Sequence, residues 1–152
     1  SREVTFKLLI AGEGKLLRTL KKHAEKIGVD QKVEFLGFVE NMPAFFNSLD
    51  VFLLSSEYEG FGYVITEAMA SCKPVVAFDV KSTSEIILDG ETGFITGQGK
   101  MTEMADRIIE LAEDPKMRAS MGRAGKKRVE ELFSFEKTQG EILDLLKGFN
   151  GS

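Results

Sequence analysis

Residues 50–78 run DVFLLSSEYEGFGYVITEAMASCKPVVAF. The segments 51–54 and 74–78 are apolar at every position, which is typical of parallel strands buried on both faces of a sheet. Between them, residues 64–71 have the pattern of a short helix. A strand, a helix and a second strand in this order predict a right-handed crossover between two parallel strands.

The same alternation continues on both sides of this segment. Further strands are predicted at residues 7–11, 33–36 and 93–95, and further helices at 15–27, 42–48 and, as a helical turn, 84–88. A helical pattern then covers three segments, 101–113, 115–132 and 135–146. The sequence therefore predicts an α/β fold. Its Rossmann-like open parallel sheet has helices on both faces and a helical C-terminal segment, and ligands bind beyond the carboxyl ends of the strands.

Composition narrows the class of protein. The chain has 152 residues, a net charge of −4, one cysteine and one histidine. We assign a single domain to residues 1–149 and a tail to residues 150–152. The acidic charge argues against nucleic acid as a partner. The lone Cys72 excludes an internal disulfide and a Cys-based zinc site, which favours the cytoplasm, and no apolar run approaches the ~20 residues of a membrane span.

Two glycines flank an aromatic residue directly before the helix at residue 64. Gly60 and Gly62 allow the backbone to approach a ligand closely. Neither Gly62 nor Tyr63 nor Val64 is a strong capping side chain, so several amide donors at the helix start are left for another acceptor, such as a diphosphate. The alternative is that the glycines only form a tight turn.

Two carboxylates accompany this loop. Glu59 lies on the turn and Glu67 about one turn into the helix. Carboxylates accept hydrogen bonds only, which suits the vicinal hydroxyls of a sugar or a ribose. Both could instead be solvated surface acids, or the pair of a retaining hydrolase, which needs its carboxylates ~5–5.5 Å apart. Sequence spacing does not separate these alternatives.

The pattern SxxEGFGxVxxEAMA at residues 56–70, followed by PVVA at 74–77, resembles the signature of retaining GT-B glycosyltransferases of the group 1 family. The resemblance extends over nearly the whole chain, through LLIAGEG at 8–14, VEFLG at 33–37, DVFLL at 50–54 and TSEII at 83–87. It departs from the family at three positions. Cys72 stands where the family usually has Gly, and Lys81 and Ser82 stand where it has a Gly-Gly pair.

The resemblance implies a role for each matching residue. Glu59 is expected to be catalytic and to bind the hydroxyls of the donor sugar, together with Gly60, Phe61 and Gly62. The diphosphate would be bound by Tyr63 and Val64, and the ribose by Glu67. The nucleobase would be bordered by Gly37, Phe38 and Val39. The family implies a UDP or GDP sugar as donor, front-face displacement with retention, no metal and no further cofactor.

The resemblance also implies what the chain needs from elsewhere. A hydroxyl acceptor, on a glycan, a lipid carrier or another molecule, would be bound by an N-terminal domain. We expect that domain and the first strand-helix unit of the donor domain to be missing here, so the fragment would be inactive alone. Two alternatives are a sugar-nucleotide epimerase of the same architecture and a non-catalytic nucleotide-binding module.

Three weaker signals concern side chains outside this loop. We expect Cys72 to be a small buried hydrophobe and four methionines, Met101, Met104, Met117 and Met121, to fill the core. The segment 116–128 is strongly basic. It could approach anionic lipid at the inner face of a membrane, giving the full enzyme peripheral association, or form a solvated face balanced by Glu130 and Glu131.

Overall fold

The computed structural model describes residues 4–56 and 62–132. Its contacts divide the chain into two units, Ser1–Phe45 and Phe46–Ser152. The predicted helix at 135–146 lies outside the described residues. Each unit contains its own parallel sheet flanked by helices, which confirms the α/β, Rossmann-type fold class and the helical C-terminal segment. The sequence predicted one sheet, whereas the described strands form two, of two and three strands.

The first unit contains strands β1 (Leu8–Ala11) and β2 (Val33–Gly37), which pair in parallel. Helix α1 (Leu17–Lys26) connects them and is followed by a 3₁₀ turn, Asp30–Lys32. Gly28, at φ +71°, follows the end of α1, as the sequence predicted. The apolar stripe of α1 is largely exposed in the described residues, and the side chain of Leu16 is 68% exposed.

The second unit contains a parallel sheet in the order β3-β4-β5. Its elements are β3 (Phe52–Leu54), α3 (Tyr63–Ala70), β4 (Val75–Phe78), α4 (Lys81–Ile86), β5 (Gly93–Thr96), α5 (Met101–Glu113) and α6 (Pro115–Leu132). Helix α2 (Met42–Asn47) precedes β3 and crosses the boundary between the units. All four residues of β4 are buried, because this central strand is covered on both edges and both faces. The predicted bounds of α5 and the predicted start of α6 at Pro115 are confirmed, and the predicted end of α6 falls at the last described residue.

The core of the second unit joins the sheet to α5 and α6. It consists of Val76, Phe78, Phe94, Met104, Leu111 and Met121, with Val51, Leu53, Ile108 and Met117 packed against them. Three of the four methionines therefore contribute to the core, as expected. The fourth, Met101, is exposed at the first turn of α5, so the expectation for that residue was wrong.

Helix α6 approaches the end of α3 at two glycines. A β-carbon at position 122 would overlap the carbonyl oxygen of Cys72 and lie 2.8 Å from its carbonyl carbon. A β-carbon at position 125 would touch the side chain of Met69 at 3.4 Å. Both glycines are buried. The helix can pack this closely against the turn after α3 only because Gly122 has no side chain, whereas a β-carbon at position 125 would make an ordinary van der Waals contact.

Cys72 itself differs from the expectation. Its thiol is exposed rather than buried, and its backbone is left-handed, with φ +56°. The reason is that the chain reverses here between α3 and β4, where the amide of Cys72 donates to the carbonyl of Met69 at 2.9 Å. A left-handed residue at a helix C-terminus is usually glycine, which explains why the family usually has glycine at this position.

Helix α4 begins three residues earlier than predicted. The hydroxyl of Thr83 accepts a hydrogen bond from the amide of Val80 at 3.0 Å and lies 2.9 Å from the carbonyl oxygen of Phe78. This buried side chain organises the helix start from inside the first turn. The sequence signal for a cap is a polar residue ahead of the helix, and here that position is Val80.

We expect Gly122→Ala to destabilise the protein by about 1–3 kcal/mol, because the added methyl must displace the backbone of Cys72. Urea unfolding followed by circular dichroism measures the change. Gly14→Ala is the matched control, since no atom lies within 4 Å of a β-carbon there. Equal stability of the two variants would contradict the close approach of α6 to α3.

We expect Cys72→Gly to stabilise the protein by about 0.5–1 kcal/mol, because glycine adopts the left-handed conformation without the clash of a β-carbon. Thermal unfolding under reducing conditions measures this gain. Cys72→Ala keeps the β-carbon and should show no gain. An equal gain in both variants would indicate that the thiol, and not the backbone, is the source.

Candidate functional site

The carboxyl ends of three parallel strands define one edge of the sheet in the second unit. Strands β3, β4 and β5 end at Leu54, Phe78 and Thr96. Because the strands are parallel and in register, the segments that follow them emerge at the same edge. This is the edge at which open α/β sheets bind ligands.

Gly62 forms the start of helix α3 in a left-handed conformation, with φ +65° and ψ +26°. It is buried. A β-carbon at this position would lie 2.7 Å from Cδ1 of Ile86, 3.5 Å from Cδ1 of Ile65 and 4.0 Å from Cβ of Ser82. The left-handed backbone therefore favours glycine, and a β-carbon would in addition displace the end of the Ile86 side chain, which supports the sequence argument for glycine at this turn.

No side chain caps the start of α3 within the described residues. The carbonyl of Gly62 accepts from the amides of Ile65 and Thr66 at 2.9 and 3.2 Å. Tyr63 is 70% exposed and Val64 is half-buried. The helix start thus presents the positive end of its dipole, with no capping carboxylate or hydroxyl from residues 4–56 or 62–132, an arrangement that favours an anion.

Glu67 lies on α3 and is exposed. It follows Tyr63 by four residues, so the two side chains project from the same face of the helix. The carboxylate is therefore placed one turn behind the open helix start. Three of the predicted site residues, Glu59, Gly60 and Phe61, lie outside the described residues, and their roles stay predictions.

The residues predicted to border a nucleobase belong to the first unit. Gly37 ends β2 with φ +66°, and its carbonyl accepts from the amide of Gly12 at 2.7 Å. Phe38 follows with 74% of its surface exposed, and Val39 is half-buried. An exposed aromatic ring directly after a strand is available for stacking, and its role as a nucleobase contact stays a prediction.

The loop after β4 is held to the neighbouring strand. The amide of Asp79 donates to the carbonyl of Thr96 at 2.7 Å. Ser82 and Thr83 are buried, whereas Lys81 is exposed. The two positions that depart from the family's Gly-Gly pair thus have different surroundings: Ser82 lies next to Gly62, and Lys81 faces solvent.

The basic helix α6 uses much of its charge within the chain. Arg118 donates to the carbonyls of Leu111 and Ala112 at the end of α5, and Arg128 donates to the carbonyls of Glu85 and Ile86 at the end of α4. Exposed pairs join Lys126 to Glu130 and Lys127 to Glu131. The pairs match the predicted charge balance, but the sequence did not reveal the two arginine contacts.

Within residues 4–56 and 62–132, no group of three or more His, Cys, Asp or Glu side chains could hold a metal ion. None of the helices in these residues is both long enough and apolar enough to cross a membrane.

Comparison with known proteins gives a consistent set of similarities. The family profile described as "Glycosyl transferases group 1" matches residues 2–128. The N-acetyl-alpha-D-glucosaminyl L-malate synthase of Bacillus anthracis is 35% identical over 135 residues, which is 89% of this chain and 35% of that protein. The chain thus spans about a third of the length of this curated relative.

Solved structures show the same fold. TarM of S. aureus superposes with a TM-score of 0.86 at 29% identity, over 91% of this chain and 28% of that one. The Anabaena protein Alr3699/HepE, solved in complex with UDP, superposes with a TM-score of 0.87 at 26% identity, over 94% of this chain and 41% of that one. The same Anabaena protein has also been solved with UDP-glucose.

We expect Gly62→Ala to destabilise the protein by about 2–4 kcal/mol, because the methyl group is strained in a left-handed residue and collides with Ile86. Combining it with Ile86→Val removes the colliding Cδ1. A double-mutant cycle of urea unfolding should then show a coupling of about 1 kcal/mol in favour of the pair. Strict additivity of the two substitutions would contradict the contact between Gly62 and Ile86.

Proposed function

This chain belongs to the glycosyl transferases group 1 family, and from this premise we propose that it is the nucleotide-sugar-binding domain of a retaining hexosyltransferase. The observation that carries the proposal is the position of the start of α3 at the carboxyl edge of the parallel sheet, where no side chain of the described residues caps it. That geometry favours an anion, and the donor of such an enzyme carries a diphosphate.

The solved relatives support a nucleoside diphosphate as the ligand. Structures of the Anabaena protein contain UDP and UDP-glucose, and one structure of TarM contains UDP. We propose a UDP or GDP sugar as the donor of this chain. The diphosphate is bound by the backbone at Tyr63 and Val64, where α3 presents its dipole and amides.

Carboxylates bind the hydroxyl groups on either side of the diphosphate. Glu67 accepts hydrogen bonds from the ribose hydroxyls, since it lies one turn behind the helix start and is exposed. Glu59 accepts hydrogen bonds from the donor sugar, together with the backbone of Gly60, Phe61 and Gly62. In the first unit, we propose the loop of Gly37, Phe38 and Val39 as a nucleobase contact, because the exposed ring of Phe38 offers a stacking surface.

The reaction is transfer of a hexosyl group with retention at the anomeric carbon. The bond from the anomeric carbon to the diphosphate oxygen breaks, and the acceptor oxygen bonds to the same face of that carbon. The acceptor proton passes to the leaving diphosphate oxygen, so no protein nucleophile and no metal is required. Glu59 is the catalytic residue in this scheme, because it contacts the donor sugar as the glycosidic bond breaks.

The acceptor is a hydroxyl group on a glycan, a lipid carrier or another molecule, and we propose that residues outside this chain bind it. The relatives are about three times as long as the matched region, so donor binding rather than transfer is the activity expected of this chain by itself. We place the full enzyme in the cytoplasm, with access to lipid-linked acceptors at the inner face of the membrane.

Saturation-transfer NMR of the chain with UDP, GDP, ADP and UDP-glucose tests the proposal. We expect saturation of the ribose and base protons of one nucleotide. Replacing Glu67 with Ala should weaken that binding about tenfold or more, because a charge-assisted hydrogen bond to the ribose is lost.

The matched control is Glu91→Ala. Glu91 is also exposed, but it precedes β5 and so lies at the amino end of that strand, the opposite edge of the sheet. Binding that is lost in Glu67→Ala and kept in Glu91→Ala supports the proposal. Equal loss in both variants, or no binding of any nucleotide by the unsubstituted chain, contradicts it.

A further inference from the structure

Arg128 of helix α6 contacts the end of helix α4. Its Nε donates to the carbonyl oxygen of Ile86 at 2.5 Å, and its Nη2 donates to that of Glu85 at 2.9 Å. The side chain is half-buried. Two nitrogens of one planar guanidinium thus bind two consecutive carbonyls, 42 and 43 residues away in the sequence.

These carbonyls need a donor from outside their own helix. The last four carbonyls of any helix have no intrahelical partner, and α4 has only six residues. The chain becomes extended at Ile87, so no further turn of helix supplies amides. A guanidinium at this end also interacts favourably with the negative end of the helix dipole. Arg128 therefore fixes the end of α4 in place.

Helix α4 in turn packs against the start of α3. The buried side chain of Ile86 lies 2.7 Å from the position of a β-carbon at Gly62, and Cβ of Ser82 lies 4.0 Å from it. The first and last turns of α4 therefore both face Gly62. A shift of α4 would remove the packing that holds Gly62 in its left-handed conformation, and this conformation sets the direction of the first amides of α3.

We propose that Arg128 is a positioning residue for the donor site, an inference that rests on the function proposed above. Through the carbonyls of Glu85 and Ile86 it holds α4 against Gly62, and so aligns the backbone at Tyr63 and Val64 with the diphosphate. Arg128 does not itself contact the ligand in this arrangement. It connects α6 to α4, and α4 packs against the start of α3, where the anion binds.

The placement of α6 does not depend on Arg128. Gly122 and Gly125 pack α6 directly against the end of α3, and Arg118 binds the carbonyls of Leu111 and Ala112 at the end of α5. Removing the guanidinium of Arg128 should therefore free α4 while α6 stays in place. The expected consequence is weaker donor binding rather than loss of the fold.

The test compares Arg128→Met with Arg118→Met. Both arginines lie on α6, and each binds two backbone carbonyls. Only Arg128 contacts α4. We expect Arg128→Met to shift the ¹H and ¹⁵N resonances of the Gly62, Tyr63 and Val64 amides in the ligand-free chain and to raise the Kd for UDP about fivefold. Arg118→Met should leave those resonances and that Kd unchanged.

Substitution by lysine separates an effect on the position of α4 from a general loss of stability. Arg128→Lys keeps the charge but not the forked donors, so its Kd should lie between those of the unsubstituted chain and Arg128→Met. If the Met variant does not fold, the comparison of Arg128→Lys with Arg118→Lys decides in its place.

Unchanged resonances of Gly62 and Val64 in the Arg128 variant would overturn the inference, as would equal shifts in the Arg118 variant. Failure of the unsubstituted chain to bind UDP, GDP or ADP would contradict the proposed function instead. The ligand-free resonances still decide in that case whether Arg128 positions the start of α3.

Discussion

The close packing of helix α6 against the turn after α3 is the constraint on which the arrangement of the second unit depends. It exists because Gly122, a buried residue of α6, has no side chain that would meet the backbone of Cys72. At this short distance the carbonyl of Cys72 lies directly against the helix. The left-handed backbone of Cys72 is retained there although the conformation costs roughly 1–2 kcal/mol in a residue with a β-carbon. In this position of α6, Arg118 contacts the end of α5 and Arg128 contacts the end of α4.

The uncapped start of α3 is a local cost that the surrounding packing offsets. A capping side chain typically contributes about 1 kcal/mol, and the described part of the chain supplies none to α3. The helix is instead held by the burial of Ile65, Ala68 and Met69, each of which removes apolar surface from water. A helix start that no side chain of the described residues caps is a departure from the usual local rule, and departures of this kind are expected at functional sites.

Sequence periodicity predicted the strands and helices. It did not predict which face of a helix is exposed or which distant residues come into contact. Apolar runs predicted the five strands of the described residues, and the bounds of α5 and the start of α6 were correct, because both signals are local. Periodicity could not show that the stripe of α1 is exposed, or that Thr83 organises the start of α4 from within its first turn. For the site, the uncapped helix start followed from residue types, whereas the roles of Glu59 and Glu67 came from the family resemblance. Neither route revealed Arg128, since a basic residue on a helix has the same pattern whether it faces solvent or another helix.

The basic residues of α6 illustrate why residue type and geometry must be considered together. Lys126 and Lys127 form exposed pairs with glutamates one turn away, and such pairs contribute about 0–1 kcal/mol because solvent screens them. Arg118 and Arg128 bind backbone carbonyls, and a hydrogen bond with a charged donor contributes about 1.5–3 kcal/mol. Arg128 binds its two carbonyls through two nitrogens of the planar guanidinium, a geometry that the single nitrogen of a lysine ammonium does not reproduce. The arginines of α6 therefore connect helices, whereas its lysines balance surface charge. The arginine contacts therefore give the basic charge of α6 a structural role within the second unit, which does not require an external anionic partner.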